Sequence, residues 1–256
     1  MEVHHHRDIN HKPKNWKGYF LEFLMIFLAV SMGFFAESYR ERLLDKEKEK
    51  QSIESVIQCL ATDTVQLENI INANIKVVAH LDSLLLLKNA DLSIAENKRK
   101  FLLHSIVGFS EDWYFRTNDA ALQQLKSSGM LRLIRKQNII DSIFTYDLKN
   151  RAIVAQETDC YFIFKEDFLD YKRAVDLSFF GDTMVLKYDL GYSSSTLVLK
   201  DIDGISISPD KEKIKSLFGN AATLAVPDKA YINLMQEQLS YGKRLIAFLK
   251  QEFHLE

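Results

Sequence analysis

The feature that most constrains this chain is an apolar run near its amino end, residues 18–36. These 19 residues contain one acidic side chain, Glu22, and no basic one. As an α-helix the run would span about 28 Å, close to the roughly 30 Å hydrocarbon core of a bilayer. A helix that began after Glu22 would be too short to cross. The run therefore predicts a transmembrane helix with Glu22 about one turn inside the membrane surface.

Two other interpretations of the run are a cleaved signal peptide and a buried core helix. Cleavage needs small residues at the processing site, whereas Phe34 stands where a small residue is required before Ala36. A core helix normally has a polar stripe, which residues 23–35 do not show. We therefore expect a basic leader, 1–17, followed by a retained signal-anchor that crosses the membrane once.

Three residues of this span are candidates for a functional role. Glu22 is an intramembrane carboxylate that either pairs with a partner's basic group or carries a proton. The alternative, which we favour, is contact with headgroups or water. Ala29 and Gly33 are four residues apart and offer a small-residue face for contact with another helix, although both residue types are common in membrane helices.

A long helix is predicted after the span, over residues 37–88. From Ile53 to Leu85 a seam residue recurs every four and then three positions, and additional apolar residues widen this face. Such a face is typical of a helix in a bundle. Asp63, Thr64 and Asn74 interrupt the seam. We expect them at a water-facing edge, and the alternative is that they select the register or the partner.

The remaining pattern predicts a mainly α extramembrane domain, residues 37–256. The fold class is one transmembrane helix that continues into a long, coiled-coil-like helical hairpin or bundle with a small β-meander insertion. The second long helix is expected to lie antiparallel to the first. The predicted segments after the first helix are short helices at 93–134, a long helix at 136–178, the meander at 183–208 and helices at 209–253.

Local signals predict where several of these helices begin and end. Ser93 and Glu96 have the spacing of a capping box. Thr117 or Asn118 is suited to cap the next helix, and Gly129 is suited to end it in a left-handed conformation. Pro227 is expected to open the final helix, separate from a short helix that ends near residue 218.

Composition and motifs exclude several classes of function. A net charge of -2 argues against nucleic-acid binding, and two cysteines are too few for a disulfide scaffold. No nucleotide-binding or hydrolase motif occurs, so we predict neither an enzyme nor a cofactor. Cys59 and Cys160 fall on the two long helices, where ordinary thiols are favoured over a disulfide.

Histidines do not predict a metal site. His80, His104 and His254 lie on separate predicted elements, and none forms an H-x-x-x-H pair. The remaining histidines fall in the leader, where a bound metal would be adventitious; they are His4, His5, His6 and His11.

An aromatic cluster precedes the third predicted helix. Trp113, Tyr114 and Phe115 are candidates for an interaction surface, since aromatic side chains dominate binding energy at interfaces. The alternative, which we favour, is that they close the open end of the bundle.

Three segments resemble a Bacteroidota family of unknown function. They are the span and its flank at 22–42, the Leu-Ala-Thr-Asp sequence at 60–63, and the block at 120–134 that contains Ser-Ser-Gly. The resemblance implies an inner-membrane anchor with the bulk of the chain in the periplasm, and it implies no activity. The basic flanking residues, four before the span and five after it, do not decide the orientation.

The leading functional hypothesis is a membrane-anchored helical scaffold or adaptor of the cell envelope. Its expected partners are the lipid bilayer and either a second copy of the chain or another envelope protein. The alternative is a periplasmic ligand-sensing helical module that signals through a membrane partner.

Overall fold

The computed structural model describes residues 16–109, 114–178 and 204–255. The described chain is mainly α, as predicted. A 3₁₀ turn, Met130–Leu133, follows the third helix. The described residues form five α-helices, which are α1 (Trp16–Leu85), α2 (Ala95–Gly108), α3 (Ala120–Ser127), α4 (Gln137–Ala174) and α5 (Lys211–Phe253).

The chain divides into two compact units, Met1–Gln51 and Ser52–Glu256. The first unit holds the apolar run. An 18-residue window near the amino end of α1 has a mean hydropathy of 2.0, and none of it is buried. By length and composition, α1 is therefore apolar enough to cross a membrane.

The second unit is a bundle in which α4 runs parallel to α1, and α5 runs antiparallel to both. At one end, Ile53 of α1 shares a hydrophobic cluster with Ile139 and Leu249. At the other end, Leu84 shares a cluster with Tyr171 and Leu217. The predicted antiparallel arrangement of the two long helices is therefore wrong.

The segment between α1 and α4 explains the parallel arrangement. Phe101 of α2 clusters with Leu84, near the carboxyl end of α1. Leu122 of α3 clusters with Ile53 of α1, which lies about 30 residues before Leu84 on that helix. Because α2 and α3 return the chain along the bundle, α4 begins again beside the start of the buried part of α1.

The seam of α1 faces the interior of the second unit. Its residues from Ile53 to Leu81 are buried, and so are the apolar residues that widen the face. This confirms the prediction of a helix that packs in a bundle. The widening residues are Val56, Ile70, Val77 and Leu84.

Cys59 and Cys160 are thiols that form no disulfide. Cys59 packs against the cluster that contains Ile139, whereas Cys160 belongs to the middle cluster with Leu67. The parallel arrangement of α1 and α4 places the two thiols in different layers of the core.

The start of α2 differs from prediction, whereas the end of α3 agrees with it. Ser93 and Glu96 form no capping box, because Ile94 is the N-cap of α2 and makes no side-chain cap bond. The backbone N–H of Ser93 instead donates to Asp91 Oδ1 at 2.9 Å. Gly129 does end α3 in the left-handed region, with φ 68°, which confirms that prediction.

The predicted pair of carboxyl-terminal helices is one helix, α5, which continues through Pro227. Its buried apolar face extends from Leu217 to Leu249, so one continuous helix keeps this face against the core. At its start, Asp210 Oδ1 accepts a hydrogen bond from the N–H of Glu212 at 3.0 Å.

The predicted β-meander falls mostly on residues 179–203, outside the described residues. In the described part, Val175 and Ile207 form an isolated antiparallel bridge. Asp176 N donates to Ser206 O at 2.9 Å, and Ser208 N donates to Ala174 O at 2.8 Å. This pairing is shorter than a strand, and the described residues do not support a meander.

Candidate functional site

The three candidate residues of the membrane span lie on α1 in the first unit. Glu22, Ala29 and Gly33 are all exposed. A Cβ placed on Gly33 would meet no heavy atom within 4 Å, so this side of the helix is open within the chain. Their proposed roles in proton transfer, headgroup contact and helix pairing stay predictions.

The aromatic cluster does not form one exposed surface. Phe115 is 1% exposed, and its backbone N–H donates to Tyr231 Oη at 3.1 Å. Its assignment to an interaction surface is therefore wrong, because the ring packs in the middle cluster of the core. Tyr114 is half-buried under the Arg116 guanidinium, which lies 5.5 Å from the ring centroid. Trp113 lies outside the described residues.

A buried polar network is centred on Asp63 of α1, which is 1% exposed. Its Oδ2 accepts hydrogen bonds from Thr117 Oγ1 at 2.7 Å and Tyr146 Oη at 3.0 Å. Its Oδ1 accepts from the N–H of Asn118 at 2.7 Å. Thr117 and Asn118 therefore bind α1, and the predicted role of either as the cap of α3 is wrong; the N-cap is Asp119.

The network reaches the other long helices. Asn150 Nδ2 of α4 donates to Thr117 Oγ1 at 2.9 Å, and Gln238 Nε2 of α5 donates to Asn150 Oδ1 at 2.5 Å. Thr64 and Asn74 are buried as well. The predicted water-facing edge is therefore wrong, because the polar interruptions of the α1 seam face the core.

Three neutral hydrogen-bond donors stabilise the Asp63 carboxylate. Burial raises the pKa of the Asp63 carboxyl, and the three hydrogen bonds oppose that increase. Burial also raises the pKa of Tyr146, and the neighbouring Asp63 charge adds to this effect. A cavity of about 30 Å³ beside them has room for a water molecule. Since these groups bind one another, the network is suited to fixing the three helices together.

A second carboxylate with a raised pKa, Asp167, lies on α4. Burial raises the pKa of Asp167 to about 6, and the charge of Asp170 adds to the increase. A hydrogen bond from Thr223 opposes it. Within the described residues, Asp167 Oδ2 is buried without a hydrogen-bond partner, and this loss of solvation is the cause of the raised pKa.

The hairpin of α1 and α2 brings together two histidines that the sequence analysis kept apart. The Nδ1 atoms of His80 and His104 are 3.1 Å apart, and both rings are half-buried. Only the turn at 86–94 separates the two helices, so a hairpin prediction could have found this pair.

The outer face of α4 is a long exposed stripe on which large apolar side chains are interrupted by Arg151, Thr158 and Lys165. Its positions 144, 148, 151, 155, 158, 162, 165 and 169 are all exposed and follow the alternating four-and-three spacing of a heptad seam. Phe144, Leu148, Phe162 and Leu169 lie on this seam and are 37%, 66%, 61% and 47% exposed. We call these eight positions the α4 outer seam.

Residues beside the α4 outer seam add apolar surface and acidic charge. Val154 and Tyr161 are 49% and 41% exposed. The seam itself contains Arg151 and Lys165, and acidic residues flank it at Asp147, Asp159 and Glu166. The inner face of α4 is also apolar, with Ile143 and Ile153 in the core. Within the described residues, the inner face of α4 is packed, and the outer face exposes apolar side chains between charged and polar ones.

A cavity of about 1030 Å³ lies where the turn after α1 meets the start of α5. Its lining combines apolar residues such as Ile214 and Phe218 with four lysines, three serines and one carboxylate, Asp91. It includes Lys88, Lys98, Lys211, Lys215, Ser206 and Ser208.

The described residues thus define a helical bundle with a long apolar amino-terminal helix. Searches against protein-family models, curated proteins and solved structures find no match to this chain. Membership of the Bacteroidota family that the sequence resembles stays a prediction.

Proposed function

We propose that this protein is a membrane-anchored helical scaffold that assembles through self-association of its α4 outer seam. The amino-terminal part of α1 serves as a single-pass anchor in the inner membrane, and the second unit lies in the periplasm. The observation that carries this proposal is the exposed heptad seam on α4.

A second copy of the chain is the partner that best fits this seam. Residues at heptad spacing form a narrow stripe that packs against another helix of the same period. Arg151 pairs with Asp147 of its own chain at 2.6 Å, whereas Lys165 within the seam and the acidic residues Asp159 and Glu166 beside it provide opposite charges that can pair between copies. Anchoring in one membrane also raises the effective concentration of each copy for the others.

The test measures the mass of the detergent-solubilised full chain by light scattering, and pairing in membranes by crosslinking. We expect a dimer for the parent chain and a monomer for Leu148→Asp and Phe162→Asp, because a charge on the seam opposes its burial. Val65→Asp is the matched control, since Val65 is 57% exposed on α1. It should leave the dimer intact.

A parent chain that is monomeric at every concentration, or a dimer that survives both seam substitutions, would overturn self-association through α4. The anchor is tested separately. The parent chain should stay in the membrane pellet after alkaline extraction, and release into the supernatant would refute a membrane span. Protease digestion of the carboxyl terminus in intact spheroplasts should confirm the periplasmic location.

The basic cavity favours one second candidate function, a ligand-sensing module. Four lysines along a cavity of about 1030 Å³ suit an anionic small molecule. A ligand that binds the folded state raises Tm in proportion to the logarithm of its concentration. A panel of phosphorylated and carboxylated metabolites should therefore raise the Tm of the parent chain, and Lys211→Gln should reduce the increase. No increase across the panel would exclude this candidate.

A further inference from the structure

The histidine pair on the α1–α2 hairpin has the geometry of a metal chelate. His80 and His104 have their Nδ1 atoms 3.1 Å apart, whereas their ring centroids are 5.0 Å apart. Because the nitrogens are closer together than the rings, the two Nδ1 edges face each other. We propose that these two atoms bind one divalent transition-metal ion of the kind that prefers imidazole.

The distance between the two Nδ1 atoms suits coordination of a single ion. Bonds from zinc to imidazole nitrogen are about 2.0–2.1 Å long, so two nitrogens 3.1 Å apart subtend an angle of about 100° at the ion. This value lies between the octahedral and tetrahedral angles. The pair therefore needs little movement to accept an ion.

The protonation of the rings also suits metal binding. Burial lowers the pKa of His80, and the neighbouring His104 lowers it further. Burial likewise lowers the pKa of His104, with a contribution from the charge of Lys100. Both shifts favour the neutral imidazole, which is the form that binds a metal.

Without an ion, the short contact between the two Nδ1 atoms is favourable only when one ring carries its proton on Nδ1 and donates a hydrogen bond to the Nδ1 of the other. With an ion bound, both rings carry their proton on Nε2 and both Nδ1 lone pairs point at the metal. The change requires a tautomer shift in one ring and releases no proton. Lys100 lies near His104, but its ammonium group pairs with Glu96 at 2.8 Å, which reduces its repulsion of a cation.

Two protein ligands leave the ion open on its other sides. Within the described residues, no group of three or more His, Cys, Asp and Glu side chains is arranged to hold a metal. The remaining positions are expected to hold water, as in exchangeable sites. The ion would link α1 to α2 and stabilise the hairpin.

Copper(II) is the probe, because it binds imidazole sites more tightly than the other first-row divalent ions. The full chain in detergent is used with leader histidines 4, 5, 6 and 11 replaced by alanine in every sample. We expect one Cu²⁺ per chain, with nitrogen hyperfine splitting from two imidazoles in its electron paramagnetic resonance spectrum. Copper should also raise Tm.

His80→Gln and His104→Gln should each weaken Cu²⁺ binding by at least about tenfold and remove the rise in Tm. His254→Asn is the matched control, because asparagine tolerates the left-handed backbone of His254 (φ 52°). It should leave Cu²⁺ binding unchanged.

Two results would overturn the proposal. One is a leader-substituted chain whose copper spectrum shows fewer than two nitrogen ligands, a result that does not depend on how the variants fold. The other is Cu²⁺ affinity that both glutamine substitutions leave unchanged.

Discussion

The two ends of α1 are both rich in apolar residues, yet their environments are opposite. In residues 18–36 the apolar side chains surround the helix and are exposed, as for Met25 at 66%. In the part from Ile53 to Leu84 they lie on one face and are buried, as for Leu67 at 0%. The angular distribution of apolar residues, more than their number, therefore separates a segment suited to lipid from one suited to a protein core.

The acidic residues follow the same division. Glu22 is exposed on the apolar run, whereas Asp63 lies in the core among three hydrogen-bond donors. A carboxylate is tolerated inside a protein only when donors replace its water. The bundle supplies these donors from the segment before α3 and from α4.

The largest effect is expected from truncating one apolar residue in each part of α1. Leu67→Ala should lower the free energy of unfolding of the second unit by about 2–5 kcal/mol, because it leaves a cavity in the core. Met25→Ala should leave it unchanged. Denaturant titration of the full chain in detergent measures both values, and equal losses would contradict the contrast.

The next test compares the two acidic residues. Asp63→Ala leaves the buried Tyr146 hydroxyl and two part-buried donors, Thr117 Oγ1 and Asn118 N, without this acceptor, and we expect a loss of about 1–3 kcal/mol in the free energy of unfolding. Glu22→Gln should not change this free energy. An Asp63→Ala variant as stable as the parent would show that water replaces the carboxylate at no cost.

A smaller effect is expected where α5 approaches α1. A Cβ on Gly242 would lie 3.2 Å from Thr64 Cγ2 and 3.2 Å from Tyr146 Cε2. Gly242→Ala should therefore cost about 1 kcal/mol in unfolding free energy through overpacking. Gly219→Ala is the matched control on the same helix. It has open space around its Cβ, so it should stabilise the protein by about 0.5–1 kcal/mol.

The last effect is a change in the slope of stability with pH, caused by Asp167. Its pKa is about 6 in the folded protein and near 3.8 in the unfolded chain. Between these values the unfolded chain loses its proton first, so the stability contributed by Asp167 falls as pH rises from about 3.8 to about 6. Asp167→Asn should remove this fall. Thermal melting of the parent chain and of the Asp167→Asn variant from pH 3.5 to 7 measures this fall. Stability profiles that run parallel for the two proteins would contradict the raised pKa of Asp167.

Sequence periodicity predicted the faces of the helices better than it predicted their arrangement. The heptad seam from Ile53 to Leu81 is the buried face, as expected. The direction of α4 was mistaken, because no local pattern shows that α2 and α3 return the chain along the bundle. Pro227 was expected to start a helix, yet the buried face on both sides of it keeps α5 continuous.

The candidate sites show the same limit of sequence-based prediction, which does not detect contacts between distant segments. Thr117 and Asn118 have the chemistry of helix caps, and only packing shows that they bind Asp63. Likewise, His80 and His104 are 24 positions apart in sequence, and no metal-ligand spacing connects them. The α4 outer seam was also missed, because the stronger apolar pattern of the inner face dominates that segment.

By itself, the sequence determined that the chain is helical, that its amino-terminal run suits a membrane, and which face of α1 is buried. These properties follow from local composition and from the period of the helix, which each segment carries alone. Tertiary structure decided the parallel course of α1 and α4, the burial of Asp63 and the meeting of the two histidines. Contacts between distant segments depend on how the chain returns on itself, and that path is set by packing across the whole bundle.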